Sequence, residues 1–145
     1  MADMHTLKMT TVIKASRARV FAAWTQPELM RLWLAPGELT SNSAEGNPVV
    51  GGTFTIPMEG MMGGRHIRGV ASGVFRELVP HERIVLTWNW AGDYSPPETL
   101  ITVQLRDVPG GTELQLLQEG FADAQHRGGY EAGWHSAFGK LAQVA

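Results

Sequence analysis

Three stretches, RIVLTWNW (83–90), TLITVQLR (99–106) and TELQLLQE (112–119), decide the fold. Each alternates between two kinds of side chain with a period of two, the pattern of a strand that turns one face to a core. The shared faces are Ile84, Leu86, Trp88 and Trp90 in the first, Ile101, Val103 and Leu105 in the second, and Leu114, Leu116 and Gln118 in the third. Pro109-Gly110-Gly111 joins the last two as a hairpin. Strands joined this closely pair antiparallel, because a parallel crossover needs a dozen or more residues.

Working upstream, Thr53 to Met58 alternates in the same way, with Phe54, Ile56 and Met58 on one face. Gly60-Met61-Met62-Gly63-Gly64 reads as a flexible connection. Arg65 to Leu78 reads as a long strand, expected to bend at Gly69 or Gly73, where a missing side chain permits a bulge. At the start of the chain, Leu7 to Ala15 is a first strand and Ser16 a helix N-cap. Val20, Phe21 and Trp24 form one apolar helical face. Thr25 and Glu28 have capping-box spacing around Pro27, which predicts a second short helix with Leu29, Leu32 and Trp33 on its buried side and a stop at Pro36-Gly37.

Downstream, Asp123 to Ala145 reads as a long helix. Tyr130, Trp134, Phe138 and Leu141 fall at helical spacing on a face that must pack on something. Gly133 within it costs up to about 1 kcal/mol relative to Ala, and the expected return is a close approach of helix backbone to sheet beside Trp134. The element order predicts an α+β fold: a curved antiparallel sheet of six to seven strands around a long C-terminal helix, with two short helices after the first strand.

A strongly twisted sheet of that size curls, and one helix cannot fill its whole concave face. An apolar cavity between sheet and helix follows as an expectation. Its candidate lining is the inward set: Trp33, Phe54, Ile56, Met58, Leu86, Trp88, Trp90, Ile101, Val103, Leu116, Trp134 and Phe138, with Gln118 as the polar member. Gln118 either faces this cavity, where a buried amide needs a partner, or ends its strand in solvent. Met58, Met61 and Met62 suit an adaptable apolar entrance.

Composition narrows the function classes. A length of 145 residues predicts one domain, 1–145. A net charge of −2 with 18% charged residues supplies no basic excess for nucleic acid. No apolar run approaches the roughly 20 residues of a membrane span. Met1-Ala2-Asp3-Met4-His5 lacks the basic start and apolar stretch of a signal peptide, so a cytoplasmic protein is expected. Without cysteine there is no disulfide, thiolate metal site or cysteine nucleophile.

Motifs for chemistry are weak. The histidines, His5, His66, His81, His126 and His135, form no metal-binding pattern, and Ser72-Gly73 lacks the flanks of a nucleophile elbow. The glycine-rich pieces do not open a helix with a following Lys-Ser/Thr, so phosphate binding is not indicated. Glu77 reads as a surface charge paired with Arg76 or Arg83, and Glu119 points opposite Gln118. Asp93 and Tyr94 lie in a loop that reaches a cavity mouth. No catalytic residue, metal or cofactor is predicted.

Val20-Phe21-Ala22-Ala23-Trp24-Thr25 with Pro27-Glu28 and Trp33 resembles the opening of START-like (SRPBCC, birch-pollen-allergen-like) domains, and in particular the homologues of the activator of the heat-shock-protein-90 ATPase. Gly51-Gly52-Thr53-Phe54, then Gly73-Val74-Phe75-Arg76-Glu77-Leu78 with Pro80, Glu82-Arg83-Ile84 and Thr87-Trp88, continue the likeness. Gly111-Thr112-Glu113-Leu114, Gly133-Trp134 and Leu141 complete it over nearly the whole chain. The resemblance implies a helix-grip fold. It also implies three function classes: binding of a small hydrophobic molecule, lipid-like or aromatic; protein interaction, chaperone-related or as a homodimer; and cyclase or dehydratase chemistry by polar cavity groups such as Gln118 and Tyr94. The namesake activator carries an additional N-terminal domain that 145 residues leave no room for.

Overall fold

A computed structural model describes residues 5–92 and 97–145. The chain runs β1 (Thr6–Ile13), α1 (Arg17–Thr25), α2 (Pro27–Trp33), β2 (Glu45–Gly46), β3 (Thr53–Met62), β4 (Arg65–Val79), β5 (Arg83–Gly92), β6 (Thr99–Val108), β7 (Gly111–Glu119) and α3 (Ala124–Val144). The three alternating stretches are β5, β6 and β7. Seven strands form one sheet in the order β1-β7-β6-β5-β4-β3-β2. All neighbours are antiparallel. Consecutive strands pair from β2 to β7, and β1 closes on the far side by pairing along β7 from Thr6↔Glu119 to Ile13↔Thr112. This is the curved sheet around a long helix that the pattern predicts.

Alternation fixes which face is inside. Ile84, Leu86, Ile101, Val103, Leu114 and Leu116 are all buried, as are Trp134, Ala137, Phe138 and Leu141 of α3. Trp24 and Trp33 close the core from α1 and α2; their rings meet edge to face at 4.7 Å. The Trp33 indole N–H donates to the Ala23 carbonyl at 2.8 Å, so its polar atom is satisfied inside the core. Ser16 caps α1, its hydroxyl accepting from the Arg19 N–H.

Several local expectations are corrected. Thr25 and Glu28 do not form a capping box. The Thr25 hydroxyl donates back to the Phe21 carbonyl at 2.9 Å, and Gln26 takes the N-cap position without a side-chain bond. With Pro27 as the first residue of α2, the buried pair is Met30 and Trp33, and Leu32 is 46% exposed. The Gly60 to Gly64 connection is mostly strand. Met61 and Met62 continue the alternation of β3 and pair with His66 and Arg65, leaving only Gly63-Gly64 as a two-residue turn at φ +60° and +78°.

The register break in β4 lies between Phe75 and Glu77 rather than at a glycine. Gly69 and Gly73 provide room instead. A Cβ on Gly73 would stand 1.8 Å from the Thr87 carbonyl oxygen, and one on Gly69 would stand 2.3 Å from the Trp90 ring. Gly133 does not bring α3 onto the sheet. Its neighbour is Pro36, at 3.7 Å from a Cβ position, because Trp134 occupies the sheet-facing side of the helix. Glu77 is partnered by Arg83 at 2.9 Å on the surface. Asp93 and Tyr94 lie outside the described residues.

Candidate functional site

Beyond the packed core, α3 and the sheet leave a groove of about 700 Å³. Its walls come from four elements. Leu34, Pro36 and Leu39 stand in the loop after α2; Met58, Met62 and Ile67 in the β3–β4 hairpin; Trp88 and Trp90 on β5; and Gly129, Tyr130, Gly133, Trp134 and Ala137 on α3. The lining is dominated by carbon and aromatic faces, with few polar atoms.

The loop wall is irregular backbone held in place by α3. The Gly37 N–H donates to the Ser136 hydroxyl at 2.8 Å. The Lys140 ammonium donates to the carbonyls of Ala35 and Leu39, at 2.5 and 3.3 Å. Burial holds the Lys140 pKa below the ordinary lysine value. Opposite, the Trp88 indole N–H donates to the Tyr130 hydroxyl at 2.9 Å, tying β5 to α3 across the groove.

Beneath the groove lies a closed polar chain. Trp134 Nε1 donates to Gln118 Oε1 at 2.8 Å, and Gln118 Nε2 donates to Thr99 Oγ1 at 2.9 Å. Gln118 has no solvent exposure, so it is not a strand end in water. Its amide is consumed by protein partners, which makes it a support for the Trp134 wall.

His126 stands at the α3 end of the groove. Asp123 caps the helix, its carboxylate accepting from the His126 backbone N–H at 2.8 Å. The His126 ring packs edge-on to Phe121 at 5.0 Å and against Tyr130 at 5.3 Å. Its Nδ1 accepts from the Ala122 N–H at 3.2 Å, which assigns the ring proton to Nε2. An imidazolium has no lone pair for that bond. Burial also lowers the His126 pKa from 6.5, with Asp123 pulling weakly the other way. The unfolded chain therefore holds this proton at higher pH than the native protein, and stability is lost as pH falls from 6.5 toward the lowered native value. Urea midpoints measured at pH 8 and pH 5 are expected to fall further on acidification in the wild type than in His126→Gln, which cannot titrate.

The sequence candidates divide between groove and core. Met58, Trp88, Trp90 and Trp134 line the groove. Trp33, Phe54, Ile56, Leu86, Ile101, Val103, Leu116 and Phe138 belong to the packed core, and Gln118 lies buried among them. The α3 residues Gly129, Ala132, Ser136 and Ala137 went unread and Gly133 was read only as a close approach to the sheet, although their helical spacing beside the aromatic stripe is a visible signal: a helix face too small to fill the space in front of it. Among the described residues, no group of three or more His, Cys, Asp or Glu could hold a metal ion. Among the described residues, no helix is long and apolar enough to cross a membrane.

The model of the family described as Activator of Hsp90 ATPase homolog 1-like protein matches residues 14–145. No curated protein matches the chain. Among solved structures, a Chromobacterium violaceum protein is similar at 26% identity, with a TM-score of 0.79 over 97% of this chain and 96% of that one. A Mesorhizobium loti protein is similar at 27% identity, with a TM-score of 0.75 over 96% and 95%. The AHSA1 protein of Silicibacter pomeroyi, at 21% identity and a TM-score of 0.77 over 95% of both chains, shares the fold.

Proposed function

The chain belongs to the family of Activator of Hsp90 ATPase homolog 1-like proteins, and from that premise we propose that it binds a small apolar molecule in the groove between α3 and the sheet. The observation that carries this reading is the space itself. About 700 Å³ stands beside a core that is already complete, within the roughly 300–1,000 Å³ of small-molecule sites. Folding alone gives no reason to leave it. Leu or Met at Gly129, Gly133 or Ala137 would bury more apolar surface and, at the glycines, favour the helix. The lining matches the reading too, because apolar ligands are recognised by area and shape with few polar contacts.

Gly133 offers a clean test. Its Cβ position makes only ordinary contact with Pro36, so Gly133→Ala fits and is expected to raise stability by up to about 1 kcal/mol. Gly133→Leu gains the same helix preference but extends into the groove. With N-phenyl-1-naphthylamine as a fluorescent probe, Gly133→Ala is expected to keep binding and Gly133→Leu to lose at least about tenfold in affinity while melting no lower than wild type. Unchanged binding in the Leu variant would remove the groove from the argument.

A second reading, a surface for a partner protein, draws support from one feature. Met61 and Met62, at the tip of the β3–β4 hairpin, are 44% and 40% exposed, and Met62 lines the groove's edge. Flexible Met side chains suit adaptable protein contacts.

A further inference from the structure

The groove's charge inventory is narrower than its size. Among the described residues that line it, Asp123 alone carries a formal charge, and no Lys or Arg is among them. Lys140 lies behind the loop wall, where its ammonium is spent on the Ala35 and Leu39 carbonyls that hold the wall in place. Arg65 shares a face with Ile67 but stands exposed at the hairpin tip, outside the lining. Residues 93–96, which follow β5, read Asp93-Tyr94-Ser95-Pro96 and add no cation by sequence. The neutral His126 ring, with Nδ1 already accepting from Ala122, adds none either.

The shape is equally particular. Indole and phenol rings of Trp88, Trp90, Trp134 and Tyr130 form one set of surfaces. The small α3 residues Gly129, Gly133 and Ala137, spaced four apart along one helix face, form another with almost no side chain on it. Flat aromatic molecules gain stacking against such rings beyond their area. An anion placed there would shed water, meet no opposite charge and face the Asp123 carboxylate, and a buried charge without a partner is strongly disfavoured.

We propose that the groove selects uncharged, flat apolar molecules of about two or three aromatic rings and excludes anions, free fatty-acid carboxylates included. This rests on the reading that the groove is a ligand site, and sharpens it to a chemical class.

Two probes with one skeleton test it: N-phenyl-1-naphthylamine, which is neutral, and 8-anilinonaphthalene-1-sulfonate, the same rings bearing a sulfonate. Each is titrated into the folded wild type and into Gly133→Leu, and only binding lost in the Leu variant is assigned to the groove. The neutral probe is expected to bind at least about tenfold more tightly there than the sulfonate. Equal or tighter groove binding of the sulfonate overturns the charge selection and leaves the ligand site standing. Groove binding of neither probe overturns both.

Discussion

Trp134→Ala is expected to destabilise the protein by about 3–5 kcal/mol, the cost of removing a buried aromatic side chain. The Trp134 ring contacts those of Trp24 and Phe138 at 5.6 Å, Trp33 at 6.3 Å and Trp88 at 6.4 Å. It is therefore the point where α1, α2, β5 and α3 meet. Part of the loss comes from the hydrogen bond to Gln118. Trp134→Phe keeps most of the apolar area but leaves Gln118 Oε1 buried without its donor, at about 1–3 kcal/mol. Gln118→Leu strands the Trp134 N–H at a similar cost. Because each single change orphans a buried polar group and the pair together removes both, the double variant is expected to be more stable than the sum of the singles by at least about 1 kcal/mol. Chemical denaturation of the four proteins measures the coupling. Simple additivity would mean that the bond contributes nothing beyond packing.

Gly73→Ala is the second large effect, expected to cost at least about 3 kcal/mol. The added methyl would lie 1.8 Å from the Thr87 carbonyl oxygen and 2.8 Å from the Phe54 ring. Neither can step aside: Thr87 is in β5, where its hydroxyl accepts from the Val74 N–H at 2.9 Å, and Phe54 is fully buried against Phe75. The strands themselves would have to part. Gly133→Ala in α3 is the matching control, since the same methyl there meets only Pro36 at ordinary distance. Thermal melts of the two variants should shift in opposite directions. A Gly73→Ala protein as stable as wild type would show that β4 and β5 separate more freely than their close contact implies.

These two residues also indicate what the sequence could convey. The strands and the long helix were legible because each carries a periodic signal: two residues for β5, β6 and β7, three to four for Tyr130, Trp134, Phe138 and Leu141. Periodicity tells which way a side chain points and nothing about what stands opposite. Leu86 and Trp88 share one face of β5, yet Leu86 is sealed in the core and Trp88 borders the groove. The difference is that Trp88 meets Tyr130 and Trp134 of α3 at the groove, which is a property of the assembled molecule. The loop wall was less visible still. Residues 34–39 have no period of their own and are held by Ser136 and Lys140 roughly a hundred positions away. Gly69 and Gly73 were noticed as breaks in a strand, while the reason for them, the Trp90 ring and the Thr87 backbone, lies on the next strand.

The closing of the sheet by β1 on β7 governs how the molecule must be built in time. The hairpins from β3 to β7 join neighbouring pieces of chain and need little loop closure. β1 differs: it pairs Thr6 with Glu119, and just before it the His5 ring contacts the Phe121 carbonyl 116 positions away. β1 therefore cannot take its place in the sheet until β7, the strand it pairs with, has formed. High contact order of this kind slows folding. The step that completes the curl of the sheet is also the one that ties β1 to the start of α3, since Arg127 donates to the Thr6 carbonyl at 2.6 Å. Assembly is therefore local in the middle of the chain and global at its ends.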